Sequence, residues 1–227
     1  MNRVDIASRI EHTNLKPDAT EEAVVKLCQE AKENGFHGVC VNPCRVHVAA
    51  SALRGAGIQV CSVVGFPLGA HTSRLKATEA GEAITNGATE IDMVMNIGWF
   101  KEGNRILAEQ DIRAVRTAIS ENTILKVIIE AAVLSQREKC DAAKLVVHAG
   151  GNFVKTSTGF HPAGGATVKD VKLLKSVIGN DAKIKAAGGI RDARTVLQMI
   201  GAGADRIGTS SSVAIMGEIP NDRPVAG

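Results

Sequence analysis

The chain has 227 residues, of which 44% are hydrophobic and 22% charged, and its 27 lysines and arginines stand against 24 acidic residues, a net charge of +3. This composition excludes disorder, a fibrous repeat and a coiled coil, and the small charge, without any Tyr to stack on bases, argues against nucleic-acid binding. Aromatic residues make up only 3% of the chain. The core must therefore be filled by Val, Ile, Leu and Ala, as in stacked parallel strands.

Two further features bear on where the protein works. Residues 1–5 lack an apolar signal core, and no apolar run approaches the roughly 20 residues that span a bilayer. The five cysteines are an odd number in a chain large enough to fold without disulfides, so we expect reduced thiols. The sequence predicts a soluble, cytoplasmic protein that contacts no membrane.

The predicted elements alternate between short strands and amphipathic helices. A short N-terminal helix precedes a first strand over residues 10–15, and the apolar residues of 21–34 have helical spacing that ends at Gly35. Helical patterns also cover residues 167–178 and 192–200. Seven further segments are almost continuously apolar, which is typical of buried parallel strands, and they cover residues 38–43, 59–66, 90–96, 125–130, 153–159, 183–189 and 206–211.

The spacing of the strand ends predicts the fold class. Successive ends lie 22 to 34 residues apart, which fits one strand and one helix per unit. Eight such units predict an α/β fold, a (β/α)8 TIM barrel. The alternative is an open doubly wound sheet, but residues 38–43 do not form its Gly-rich dinucleotide turn. We expect one domain over residues 1–219 and a loose C-terminal tail over residues 220–227.

Three ionisable side chains lie inside predicted strands: Asp92, Lys155 and Lys185. A structural salt bridge would explain one buried lysine, but two on adjacent strands with an aspartate on a third favour chemistry. Each ammonium group disfavours the charge of the other, and burial acts in the same direction. We therefore predict a lysine pKa lowered from about 10.4 to about 7, which gives an amine nucleophile for a Schiff base.

Seven motifs follow one another along the chain: VCVNP at 39–43, VGFPLG at 64–69, EIDMV at 90–94, KVIIE at 126–130, VKTSTGF at 154–160, KAAGGIR at 185–191 and ADRIGTS at 204–210. In matching order, over residues 10–212, they resemble the deoxyribose-phosphate aldolase family. The resemblance implies reversible cleavage of 2-deoxy-D-ribose 5-phosphate to D-glyceraldehyde 3-phosphate and acetaldehyde, without cofactor or metal. It also implies that Lys155 forms the Schiff base, Lys185 tunes it and helps transfer protons, and Asp92 is the proton-relay acid and base.

The loops after the seventh and eighth strands are candidates for binding the substrate phosphate, as in many barrel enzymes. Gly188 and Gly189 let backbone N–H groups approach an anion, and Ser210 and Ser211 add hydroxyl donors. Taken singly, each loop is equally well explained as a turn or a helix cap. We predict that both contact phosphate and that Thr158 faces the substrate.

Other polar residues are better explained by structure than by catalysis. Cys40 and Cys44 have no second pair and no histidine at ligand spacing, so we expect buried cysteines and not zinc ligands. We expect His71 on a surface loop, Arg191 in a structural ion pair, and Glu130 as a hydrogen-bonding group behind the site.

The chain departs from the family pattern at four places. It has EHTNL at 11–15, AAV at 131–133, a longer loop after Phe160, and no tyrosine to assist proton transfer. The departures leave open a related lysine-dependent aldolase or transaldolase acting on another sugar phosphate. A non-catalytic phosphate-binding barrel is the alternative from a different class. As partners we expect a small phosphorylated sugar, no nucleic acid, and, from the resemblance, copies of the chain in a dimer or tetramer.

Overall fold

Eight parallel strands close into a barrel in chain order in the computed structural model, which describes residues 1–220. Each strand pairs with the next, and the last pairs with the first through Ile10 and Ile207, so the sheet has no edge. The predicted TIM barrel is confirmed, and the open-sheet alternative is wrong. The strands are β1 Ile10–Asn14, β2 Gly38–Val41, β3 Gln59–Val64, β4 Glu90–Val94, β5 Ile124–Ile128, β6 Phe153–Lys155, β7 Lys183–Ala187 and β8 Arg206–Thr209.

Ten helices accompany these strands within the described residues, and none is long and apolar enough to cross a membrane. The predicted N-terminal helix is present. Thr167 and Asp192 cap the helices that follow them, so those helices begin one residue later than predicted. The helices are α1 Arg3–Ala7, α2 Glu21–Asn34, α3 Val46–Ala52, α4 Ser73–Thr85, α5 Ile97–Lys101, α6 Arg105–Ala118, α7 Gln136–His148, α8 Val168–Ile178, α9 Ala193–Gly201 and α10 Ser212–Glu218.

The strands end earlier than predicted, and glycines account for two of these ends. Gly65 and Gly188 directly follow β3 and β7 with φ values of +62° and +88°, a left-handed backbone that strand pairing does not allow. The apolar character of these segments continues past the last paired residue, which is why the pattern overestimates strand length. The domain boundary at residue 219 stays a prediction, and residues 221–227 of the predicted tail lie outside the described residues.

The barrel interior has an apolar part and a charged part. Leu15, Cys40, Cys61 and Val63 form a separate buried cluster with Phe66 packed against it, here called the thiol cluster. The charged part consists of buried side chains that meet across the barrel, namely Glu11, Glu90, Asp92, Lys126, Lys155 and Lys185.

Candidate active site

Asp92, fully buried on β4, is the centre of the charged part. Its Oδ2 accepts hydrogen bonds from Nζ of Lys155 on β6, at 2.7 Å, and from Nζ of Lys185 on β7, at 2.6 Å. Its Oδ1 accepts from Nζ of Lys126 on β5, at 2.9 Å. The structure therefore brings together all three residues predicted to be catalytic, and it adds Lys126, which the sequence reasoning missed. Lys126 carried the same signal as the other two lysines, since it lies inside an apolar strand segment.

Two more carboxylates lie beneath this centre. Lys126 Nζ is 2.5 Å from Glu90 Oε2 and 3.3 Å from Glu11 Oε1, and Lys185 also contacts Glu11. Arg206 Nη1 lies 3.3 Å from Glu11 Oε1 and 3.6 Å from Glu90 Oε1. Three carboxylates thus face four cations when Lys155 is protonated. Glu11, one of the departures from the family pattern, belongs to this charge network and not to the lining of the cavity above it.

The network fixes the charges of its members. Burial raises the pKa of Asp92, but the ammonium groups of Lys126, Lys155 and Lys185 outweigh burial and hold that pKa well below its ordinary value. Burial lowers the pKa of Lys185, yet the carboxylates of Asp92 and Glu11 outweigh it, so the pKa lies above its ordinary value. The expectation that neighbouring ammonium groups lower each other's pKa is therefore wrong for Lys185. This side chain stays a cation at neutral pH.

A cavity of about 430 Å³ opens above this centre at the carboxyl ends of the strands. Lys155 lines it, whereas Asp92 and Lys185 lie deeper. The predicted residues Thr158, Gly188, Gly189 and Ser210 line the cavity as well. The remaining phosphate candidate, Ser211, does not; it is half-buried at the start of α10, where its N–H donates to Thr209 Oγ1 at 3.0 Å.

The turn at Gly188 is packed so closely that only glycine fits. Gly188 and Gly189 have φ values of +88° and +77°. A Cβ on Gly188 would lie 3.0 Å from Gly165 Cα and 3.2 Å from Gly159 Cα. Ala166 N–H also donates to the carbonyl of Gly188, at 3.1 Å. The longer loop after Phe160 therefore packs on the Gly188 turn and holds it at the cavity wall.

The remaining polar candidates divide between confirmed and wrong expectations. Glu130 acts behind the site as predicted, because its carboxylate accepts hydrogen bonds from the backbone N–H and hydroxyl of Thr158. His71 is exposed, as expected of a surface loop. Arg191 is also exposed, but it lines the cavity and makes no ion pair with any residue between 1 and 220, so the predicted structural ion pair is wrong. Cys44 is exposed in a short turn and not buried as expected.

Comparison with known proteins gives a consistent result. A profile of the DeoC/LacD family of aldolases matches residues 8–217. Deoxyribose-phosphate aldolase of Geobacillus sp. (strain WCH70) is 52% identical over 212 residues, which cover 93% of this chain and 95% of the relative. The enzyme of that name from Aciduliprofundum boonei is 54% identical over 217 residues, covering 95% and 97%.

A solved structure agrees with the sequence relatives. The deoxyribose phosphate aldolase of Aeropyrum pernix, described as tetrameric, superimposes with a TM-score of 0.89 at 34% identity and covers 95% of this chain and 91% of its own. The profile match spans nearly the whole barrel and includes every residue of the buried charge network. The chain belongs to the DeoC/LacD family of aldolases.

Proposed function

We propose that this aldolase reversibly cleaves 2-deoxy-D-ribose 5-phosphate to D-glyceraldehyde 3-phosphate and acetaldehyde through a Schiff base on Lys155. One observation carries the proposal: a single carboxylate oxygen, Asp92 Oδ2, accepts from both Lys155 and Lys185 directly beneath an open cavity. The substrate is supported by the relatives, which bear the name deoxyribose-phosphate aldolase at about half identity over nearly the full chain.

Access and charge both favour Lys155 as the nucleophile. Of the three lysines that contact Asp92, Lys155 alone lines the cavity. When its amine is neutral, the remaining cations of the network, Lys126, Lys185 and Arg206, face an equal number of carboxylates. Lys155 is therefore the lysine of the network that both contacts Asp92 and meets the substrate.

The reaction follows from these positions. The Lys155 amine adds to the aldehyde carbon C1, and loss of water gives an iminium. A base removes the proton of the C3 hydroxyl, the C2–C3 electron pair moves towards the iminium, and glyceraldehyde 3-phosphate leaves. The enamine accepts a proton at C2, and hydrolysis releases acetaldehyde. Asp92 relays protons at Oδ2. Asp92 and Glu11 keep Lys185 protonated, so Lys185 donates a hydrogen bond and its positive charge acts on the site. The chain has no Tyr, so water completes the relay.

The phosphate end of the substrate is proposed to bind where the two loops line the cavity. Gly188 and Gly189 supply backbone donors, and Ser210 supplies a hydroxyl group. Arg191 adds a cation at the same wall, because it carries no competing ion pair among residues 1–220. The hydroxyl of Ser211 makes no capping hydrogen bond on α10, which leaves it free to turn towards phosphate.

The test is to trap the Schiff base. Acetaldehyde with borohydride should leave an ethyl group, about 28 Da, on Lys155 and nowhere else in the cavity. Lys155→Ala should abolish both trapping and cleavage, whereas Lys16→Ala, the matched change at another lysine of the cavity lining, should retain both. Trapping on Lys16, or no trapping, would reject the mechanism. A higher kcat/KM for another sugar phosphate would reject the substrate and leave the mechanism in place.

The state of assembly and the location are also proposals. We infer a homo-oligomer, because the Aeropyrum pernix relative is described as tetrameric. Light scattering that returns the mass of one chain at micromolar concentration would contradict it. A cytoplasmic location stays a prediction from the sequence.

A further inference from the structure

Two cysteines that the reaction does not use face each other inside the barrel. Cys40 on β2 and Cys61 on β3 are register partners, and both are fully buried. Their sulfurs lie within 4.8 Å of each other. Neighbouring strands are about 4.8 Å apart, inside the range of roughly 4.4–6.8 Å that disulfides span between Cα atoms. A small side-chain rotation would therefore bring the two sulfurs into bonding distance.

We propose that Cys40 and Cys61 form a modification site at which a peroxide produces a disulfide, and that this disulfide reversibly stops the reaction at Asp92. The chemical part of the proposal is independent of the aldolase substrate. Its effect on activity rests on the proposed function.

The two thiols differ in pKa, and the difference decides which of them meets the peroxide first. The adjacent Cys61 thiol lowers the pKa of Cys40, outweighing burial, and the ammonium groups of Lys185 and Lys155 act in the same direction. Burial first, then the neighbouring Cys40 sulfur and the charge of Asp92, raise the pKa of Cys61 well above its ordinary value. Cys40 therefore supplies the thiolate, and Cys61 stays a thiol.

The step is balanced with hydrogen peroxide as the oxidant. The Cys40 thiolate attacks one peroxide oxygen, the O–O bond breaks, and the leaving hydroxide takes a proton and becomes water. The sulfur of Cys61 then attacks the sulfenic acid on Cys40, the S–S bond forms, and the hydroxyl group and the thiol proton leave as a second water. The two thiols lose two electrons, and the peroxide gains them.

The thiol pair is connected to the centre by direct contacts. Cys61 Sγ donates to Asp92 Oδ1 at 3.1 Å, and Lys126 Nζ lies 3.4 Å from the same sulfur. A disulfide has no S–H to donate, so Asp92 Oδ1 keeps only the Lys126 donor and the contacts that orient the carboxylate change. Leu15 belongs to the thiol cluster and also lines the cavity. The proposal takes peroxide from the cavity past Leu15 to the two cysteines, so a bound sugar phosphate should slow the reaction.

The experiment uses Cys44→Ser/Cys140→Ser as the parent, since these thiols lie outside the thiol cluster. Trypsin leaves Cys40 and Cys44 together in residues 33–45 and Cys61 in residues 55–74, so the parent has one cysteine in each peptide. After peroxide, mass spectrometry should find the two peptides linked, with a loss of about 2 Da. Cleavage activity should fall at least about tenfold and return with dithiothreitol.

The controls separate the outcomes. In the parent background, Cys61→Ser should give no linked peptide, and Cys40 should be oxidised further to sulfinic acid. Circular dichroism before the addition of peroxide verifies that the variant is folded. If Cys61→Ser does not fold, Cys40→Ala takes its place as the variant without a linked peptide. Absence of the linked peptide from the parent rejects the site, whatever happens to activity. A linked peptide with full activity rejects the effect on the reaction. If the chain does not cleave deoxyribose 5-phosphate at all, the linked peptide still tests the site separately.

Discussion

Replacing Asp92 by Asn should destabilise the fold as well as stop the reaction. The carboxylate accepts hydrogen bonds from Lys126, Lys155, Lys185 and Cys61, at distances of 2.6 to 3.1 Å, and it is fully buried. Asparagine keeps the shape but removes the charge, and its NH₂ group cannot accept from an ammonium. Removing one partner of a buried ion pair costs about 3–5 kcal/mol. Because the free energy of unfolding is about 5–15 kcal/mol, this is a large fraction of the total.

The pH dependence of this loss has a definite sign. The pKa of Asp92 lies well below its ordinary value in the folded chain, whereas an unfolded aspartate titrates near about 3.9. The stabilisation by its charge is complete above the unfolded pKa and is lost as the pH falls through the folded pKa. The difference in unfolding free energy between the wild type and Asp92→Asn should therefore be about 3–5 kcal/mol at pH 7 and about 1.3 kcal/mol smaller at pH 3.

Urea unfolding at fixed protein concentration measures both values, with circular dichroism as the signal. Asp181→Asn is the matched control: this exposed aspartate makes no side-chain ion pair with any residue between 1 and 220, so its effect should stay within about 0.5 kcal/mol. The kcat for cleavage should fall about 10²–10⁴-fold in Asp92→Asn and should not fall in Asp181→Asn. A loss below about 1 kcal/mol at pH 7, or a difference that grows in acid, would refute the reasoning.

Other parts of the barrel give three further predictions. Lys76→Met should lower the free energy of unfolding in urea by about 3–5 kcal/mol, because fully buried Asp111, 2.6 Å away, loses its partner. The double variant Lys76→Met/Asp111→Leu should recover most of that stability, and no recovery would contradict the pairing. Gly188→Ala should raise the KM for deoxyribose 5-phosphate at least about tenfold, since φ is +88° there, whereas Gly201→Ala, where a Cβ meets nothing within 4 Å, should not. Arg191→Gln should raise that KM about tenfold and leave kcat/KM for unphosphorylated 2-deoxyribose unchanged; an equal loss for both sugars would exclude a phosphate contact.

The fold was predictable because the strands are buried on both faces. Their continuous apolar runs mark them, and their spacing gives one helix per strand, so eight units predict a barrel. Burial on both faces is also why the catalytic candidates from the sequence did not include Lys126. In a strand that is apolar on both faces, the pattern does not show which side chains point into the barrel and which point towards the helices. Only the closed register shows that Lys126, Glu90 and Glu11 point into the barrel and meet there.

The sign of the Lys185 pKa shift was unpredictable for a related reason. Lys155, on the neighbouring strand, is 30 positions earlier, so the sequence shows the two lysines as a pair. Two carboxylates, Asp92 and then Glu11, outweigh burial at Lys185, and Glu11 is 174 positions away. Whether an ammonium group loses or keeps its proton depends on all charges within a few ångströms, and barrel closure decides which they are. The ion pair predicted for the exposed Arg191 was wrong for the same reason, because a sequence does not show which cations lack a carboxylate neighbour.

Charge balance explains why so many ions are tolerated in the barrel. A buried charge is costly unless it is paired, and each member of the network has at least one partner of opposite sign within 4 Å. Three carboxylates serve four cations, so the cations share their partners unequally. Lys126 and Lys185 each contact two or more carboxylates, whereas Lys155 contacts only Asp92 among residues 1–220. The lysine with the fewest carboxylate partners is thus the one that reaches the cavity, where a neutral amine is needed.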